Sequence, residues 1–123
     1  DYAGVPAMLC HRIAAELAYG IQRRIEIARA VAMSATTFLL DEPAAGLNHS
    51  ETHELSDLLL RLKADGKCLL LIEHDMDMVM SISDHLVAMN FGRKIAEGDS
   101  REIQTHPDVL EAYLGVELDD AQG

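Results

Sequence analysis

Four residues at the ends of two apolar runs carry the side chains best suited to chemistry. Asp41 and Glu42 follow Phe38-Leu39-Leu40, and Glu73 and His74 follow Cys68-Leu69-Leu70-Leu71-Ile72. Two adjacent carboxylates repel each other and lose hydration, which is tolerable when a cation or a proton-bearing substrate sits before them. One carboxylate of such a pair can hold magnesium, usually through water, while the other acts as base toward an attacking water. A neighbouring histidine can contact a phosphoryl oxygen or organise that water. Together these groups suggest metal-assisted phosphoryl transfer to water. Taken alone, Asp41-Glu42-Pro43 is also an ordinary polar loop, and His74 alone an ordinary hydrogen-bonded structural histidine. Delivery of both to one sheet edge favours a site.

The elements that would make this delivery are legible in the pattern. Three consecutive apolar residues at 38–40 suit a strand over 37–41 buried on both faces, and Pro43 closes it. Cys68–Ile72 reads as a second fully apolar strand. Between them Leu55, Leu58, Leu59 and Leu62 repeat at helical spacing, with Asn48 or Ser50 as cap, Glu51 and Glu54 in the first turn and Gly66 as terminator. Strand, crossover helix and strand make a βαβ unit, hence a parallel sheet, whose ligands collect at the carboxyl ends of its strands.

Upstream, Ile21, Ile25, Ala28 and Val31 or Ala32 predict a helix over about 20–33, with Arg23, Arg24, Glu26 and Arg29 on its other, solvated faces. Gly4 and Pro6 suggest an irregular entry. Downstream, the sequence predicts a helix over 75–82, strands at 86–90 and 94–97 joined by a turn at 90–93, and short helices at 100–105 and 107–114. Residues 119–123 read as a frayed tail. His49 and His53 stand four apart on a helix, as metal ligands can. The metalloprotease pattern needs Glu directly after the first His, however, and Ser50 is there, so an exposed capping face is the reading.

The 123 residues suffice for one modest core, and 49% of them are hydrophobic. A net charge of −11 argues against nucleic acid as a partner, since phosphate binding needs clustered Lys and Arg. Cys10 and Cys68 form no CxxC pair, which fits a reducing compartment and ordinary buried thiols. No run approaches the roughly 18 apolar residues of a membrane span.

Four segments, in order and spacing, carry a family resemblance: "LAYGIQRRIEIARAVA" (17–32), "FLLDEPAAGLN" (38–48), "LLLIEHDMDMVMSISD" (69–84) and "GRKIAEGDSREI" (92–103). The chain resembles the ATP-binding subunit of ATP-binding cassette transporters, in the subgroup that energises branched-chain amino acid importers. The resemblance covers about residues 14–115. It implies an α/β fold: the C-terminal part of a parallel-sheet, P-loop NTPase-type cassette, ending in short strands and helices. Within a partial cassette over 1–123, it implies a helical signature region at about 1–33, a βαβ core at 34–99, and C-terminal helices and tail at 100–123.

The resemblance also implies roles. Asp41 would be the Walker B aspartate that holds Mg2+, Glu42 the general base, and His74 the switch histidine at the terminal phosphate of ATP. Ala44–Asn48 would be the D-loop that contacts a partner subunit. Leu17, Ala18, Tyr19 and Gly20 of the signature motif, with Gly46 and Asn48, would face nucleotide. Tyr19 replaces the first glycine of the usual Leu-Ser-Gly-Gly-Gln, as in the branched-chain subgroup. Ala18 lacks the serine hydroxyl and Ile21 replaces the glutamine, leaving phosphate contact to backbone groups around Gly20.

The implied partners are a second ATP-binding subunit, in a homo- or heterodimer, and membrane permease subunits, reached by a surface upstream of Leu17 near His11 and Arg12. The implied location is peripheral, on the cytoplasmic face of the plasma (inner) membrane. No Gly-x-x-x-x-Gly-Lys-Ser/Thr phosphate loop occurs in 1–123, and Asp1 opens the chain. The expectation is therefore a C-terminal portion of a longer ATPase, inactive and of reduced stability by itself. The alternatives are a naturally short, non-hydrolysing interaction module and a cassette serving DNA repair or translation; the acidic charge weighs against the latter.

Overall fold

The computed structural model describes residues 2–115. The expected frayed tail at 119–123 lies outside the described residues. The chain forms two compact units, one ending at Met78 and the other starting at Val79.

The first unit opens with two short 3-10 turns, Ala7–Leu9 and Ala14–Glu16, in the expected irregular entry. Helix α1 (Tyr19–Ala32), strand β1 (Thr37–Asp41), helix α2 (His49–Ala64) and strand β2 (Cys68–Ile72) follow. The two strands pair in parallel, Thr37 opposite Cys68 through Asp41 opposite Ile72, so the βαβ reading holds residue for residue. Leu55, Leu58, Leu59 and Leu62 of α2 are all buried, as their spacing predicts. Removing each from water contributes about 1.5–3 kcal/mol.

Asn48, not Ser50, caps α2. Its side chain accepts from the Glu51 N–H at 2.9 Å, and the Glu51 carboxylate accepts from the Asn48 N–H at 3.0 Å, a reciprocal capping box.

Three expectations are corrected. First, β1 and β2 are covered on one face only. Phe38 is buried, but Leu39 is 75% exposed and Leu70 60%, because alternate residues of a strand point to opposite faces. An unbroken apolar run permits two covered faces without supplying the second cover. Second, Cys10 and Cys68 are exposed, not buried. Cys68 alternates with Leu70 and Ile72 and shares their open face.

Third, the basic run of α1 is no solvated face. Gly20 and Ile27 are the buried residues of the helix; Arg23 and Arg24 are half-buried like Ile21, Ile25, Ala28 and Val31, while Glu26 and Arg29 are exposed. The Arg24 side chain is only 14% exposed; its guanidinium pairs with Glu54 of α2 and donates to the Gly4 carbonyl. Arg23 pairs with Glu26 and lies over the Tyr19 ring. Long arginine stems can line a packed face while their charged ends find partners.

Helix α3 (Met76–Ile82) begins in the first unit, where Asp75 accepts from the Met78 N–H at 3.0 Å, and ends in the second. The second unit continues with an antiparallel hairpin of β3 (Leu86–Asn90) and β4 (Arg93–Gly98), broken by a bulge at Ala88/Met89. Phe91 and Gly92 form its two-residue turn with φ of 45° and 73°, matching a type I′ turn. Helices α4 (Ser100–Thr105) and α5 (Pro107–Leu114) close the unit. Asp99 caps the first of these in a second capping box with Glu102. His106 and Pro107 start the other. Ala96, Ile103 and Val109 are its buried residues along with Val79 and Ile82.

Candidate functional site

At the carboxyl ends of β1 and β2 the predicted residues converge. The parallel ladder runs one step past the strands, with the Glu42 N–H donating to the Ile72 carbonyl at 2.8 Å. Glu42 itself turns into the left-handed region at φ 45°, a conformation that costs a non-glycine residue of order 1–3 kcal/mol. The turn ends the strand and brings the Glu42 carboxylate 3.6 Å from Nδ1 of His74. That separation suits an ion pair with a protonated imidazole and is too long for a direct hydrogen bond. Both side chains are open, at 51% and 72% exposure. Asp41, the last residue of β1, is exposed beside them.

Glu73, placed at the same edge by the sequence, has a definite task. One of its oxygens accepts the Ala44 N–H at 2.8 Å and the other the His74 N–H at 3.2 Å. Its bridging between the two loops left no signal in the sequence beyond its position.

A second cluster joins the start of α1 to the loop before α2. A β-carbon on Gly46 would sit 3.3 Å from the Tyr19 ring, and one on Gly20 would sit 2.8 Å from the Glu51 carboxylate. The Tyr19 hydroxyl accepts from Arg23 at 2.5 Å. Leu17 and Ala18 precede the helix; Ala18 makes no side-chain cap, and the Leu17 carbonyl accepts from the Gln22 side chain at 2.8 Å. Gln22 thus turns back on its own loop. Asn48 belongs to this cluster through its bond to Glu51, so its side-chain oxygen serves the α2 cap. Segment 43–48 links the two clusters.

A groove of about 290 Å³ lies between α1 and β1, lined by Arg23, Ile27, Phe38, Leu40 and Asp41 among others, but it does not include Glu42 or His74. His49 and His53 are exposed, with rings 5.1 Å apart edge to face. Among the described residues no three His, Cys, Asp or Glu side chains are grouped to cage a metal ion. An open carboxylate such as Asp41 fits magnesium in its usual manner. That ion takes one or two protein carboxylates, and water and phosphate oxygens complete its shell.

Comparison with known proteins gives this arrangement a class. The structure is similar to the ADP conformation of an ATP-binding cassette of an ABC transporter, with TM-score 0.75 and 37% identity over 85% of this chain and 42% of that one. It is also similar to an inward-facing metal-chelate type ABC transporter, with TM-score 0.82 and 26% identity over 94% of this chain and 45% of that one. The fold is therefore that of the α/β ABC ATPase cassette, of which the chain covers a part.

Within that class the likeness is narrower. Residues 93–119 match the family profile described as branched-chain amino acid ATP-binding cassette transporter. The chain is 51% identical over 106 residues to the high-affinity branched-chain amino acid transport ATP-binding protein BraF of Pseudomonas aeruginosa. It is 50% identical over 106 residues to LivG of Salmonella typhimurium, a protein of the same description. Each match takes in 85% of this chain and 42% of the relative, so the chain spans about two-fifths of the length of these curated relatives. It matches the C-terminal part of the cassette of branched-chain amino acid transport ATP-binding proteins, as the resemblance in its motifs implied.

Proposed function

We propose that these residues work within an ATP-hydrolysing subunit that energises import of branched-chain or related amino acids. The observation that carries the reading is the approach of Glu42 to His74 at the ends of two parallel strands, beside Asp41. Asp41 would hold Mg2+, which when bound would supply neutralisation of charge on the terminal phosphates of ATP. Glu42, open to solvent and turned off the strand, takes the proton of the attacking water. His74, whose ring stands beside Glu42, holds the other side of that water or the terminal phosphoryl oxygen.

Ala18, Tyr19 and Gly20 offer backbone donors at the start of α1 to a nucleotide. Leu17, whose N–H is taken by the Ala14 carbonyl, leads into that turn, and Gly46 lies in the loop that meets a second ATP-binding subunit. Because Asn48 is engaged in capping α2, its contribution to nucleotide contact is to fix that loop. Permease subunits take up the closure of the pair, and the protein sits peripherally at the cytoplasmic face of the inner membrane. Among the described residues no helix is long and apolar enough to cross a membrane.

The 123 residues contain no phosphate loop, so this part by itself leaves ATP intact. The test compares Mg-ATP turnover by the full-length protein carrying these residues with turnover by the 123-residue chain. Turnover by the first alone, lost with Asp41→Asn, supports the reading. A full-length protein that binds ATP without hydrolysing it contradicts the reading.

A further inference from the structure

Three carboxylates reach the same sheet edge, and they are not equivalent. Asp41 and Glu42 are exposed, whereas Glu73 is half-buried and has both oxygens engaged by backbone N–H groups. One of those donors, Ala44, lies in the loop that leaves β1; the other, His74, follows β2.

This bridge matters because of what lies between Glu42 and Ala44. The Glu42 N–H gives the last ladder bond, to Ile72. Pro43 comes next and has no N–H to give. Ala44 is thus the first residue beyond Glu42 whose backbone N–H can be tied to the β2 side, and Glu73 ties it. The Ala45 N–H bonds back to the Glu42 carbonyl at 3.1 Å, which closes the turn on itself without fastening it to β2.

We propose that Glu73 is a positioning residue: its carboxylate clamps the loop after Glu42 to the loop bearing His74, and so sets the Glu42–His74 separation. Each Glu73 oxygen already accepts one backbone N–H, and the role assigned to it is to hold these two donors. The inference rests on the hydrolytic reading for its effect on turnover, but the clamp itself does not.

Two readouts in the full-length protein separate these levels. The first is hydrogen exchange at the Ala44 amide, which needs no activity. Glu73→Ala frees that amide and speeds its exchange, while Glu73→Gln, whose single carbonyl oxygen can serve the Ala44 N–H but leaves the weaker His74 contact unmade, holds it near the wild-type rate. The second is steady-state ATP hydrolysis. Glu73→Ala lowers kcat about tenfold with KM within about twofold, and Glu73→Gln recovers most of the loss. Unchanged Ala44 exchange in a folded Glu73→Ala protein overturns the clamp. Loss of turnover in Glu73→Gln as deep as in Glu73→Ala, with Ala44 exchange still near the wild-type rate, overturns the positioning role, because the tie to Ala44 is then intact and does not set the rate. If the wild-type protein hydrolyses nothing, the functional reading falls, and Ala44 exchange still decides the clamp.

Discussion

Gly20 and Glu51 touch so closely that a β-carbon on Gly20 would lie 2.8 Å from the Glu51 carboxylate oxygen. The contact joins the first turn of α1 to the first turn of α2, and the carboxylate involved is the one that closes the capping box with Asn48. Gly20→Ala pushes Glu51 off its cap, and the expected loss is about 0.5–2 kcal/mol of stability, the scale of a lost helix cap. Denaturant unfolding of Gly20→Ala, Glu51→Ala and the double variant measures it. Because Glu51→Ala removes the obstructing side chain, the double variant should be more stable than the sum of the two losses allows. Simple additivity would mean that the contact carries no strain.

Asn48 offers a sharper separation of structure from chemistry. Aspartate caps helices as well as asparagine, so Asn48→Asp should leave stability within about 0.5 kcal/mol, while Asn48→Ala should cost about 1 kcal/mol. Thermal unfolding of the two variants tests this. Equal losses would show that the side-chain acceptor is not what holds the start of α2.

The centre of the first unit should be the least tolerant place in the chain. Leu59 has no exposed surface, and Leu59→Ala is expected to cost about 2–5 kcal/mol, from lost transfer energy plus the cavity left behind. Leu60, its neighbour, is 39% exposed, and the same truncation there should cost well under half as much. Comparable unfolding midpoints for the two variants would contradict the assignment of the buried face of α2.

In the second unit, the Glu97 carboxyl is held below the ordinary glutamate range, first by a hydrogen bond from Lys94 and then by one from His85. A carboxylate whose folded-state pKa is depressed adds stability that is full above its unfolded-state value. That stability is lost as pH falls toward the folded one. The hairpin should therefore loosen on acidification through that range in the wild type, and less so in Glu97→Gln. Salt should reduce the difference, because the group is exposed. Carboxyl-resolved NMR titration checks the direction; a Glu97 midpoint above the ordinary range would refute it.

Much of the positioning framework could be read from residue order. Two apolar runs, a four-leucine helix between them and the acids that stop each run were enough to place Asp41, Glu42, Glu73 and His74 at one edge. The two short strands at 86–90 and 94–97 and the turn at 90–93 were also legible, and the structure pairs them antiparallel. What escaped were features decided by side-chain reach rather than periodicity. Arg24 is as covered as the apolar residues of α1 because its charged end finds Glu54, and a hydrophobicity pattern has no means of scoring that. The exposure of Leu39, Leu70 and Cys68 depends on what packs over a second sheet face, which a strand's own residues do not encode. The choice of Asn48 over Ser50 as cap could have been made from Glu51 standing three residues after Asn48.

The approach of Glu42 to His74 acquires its meaning from hydrolysis, and Glu42→Gln in the full-length protein tests that meaning most directly. The amide keeps the shape of the side chain but cannot take a proton from water. Nucleotide binding should persist while ATP turnover falls by roughly 10²–10⁴-fold, the scale of a lost general base. Turnover at the wild-type rate in Glu42→Gln would contradict the account.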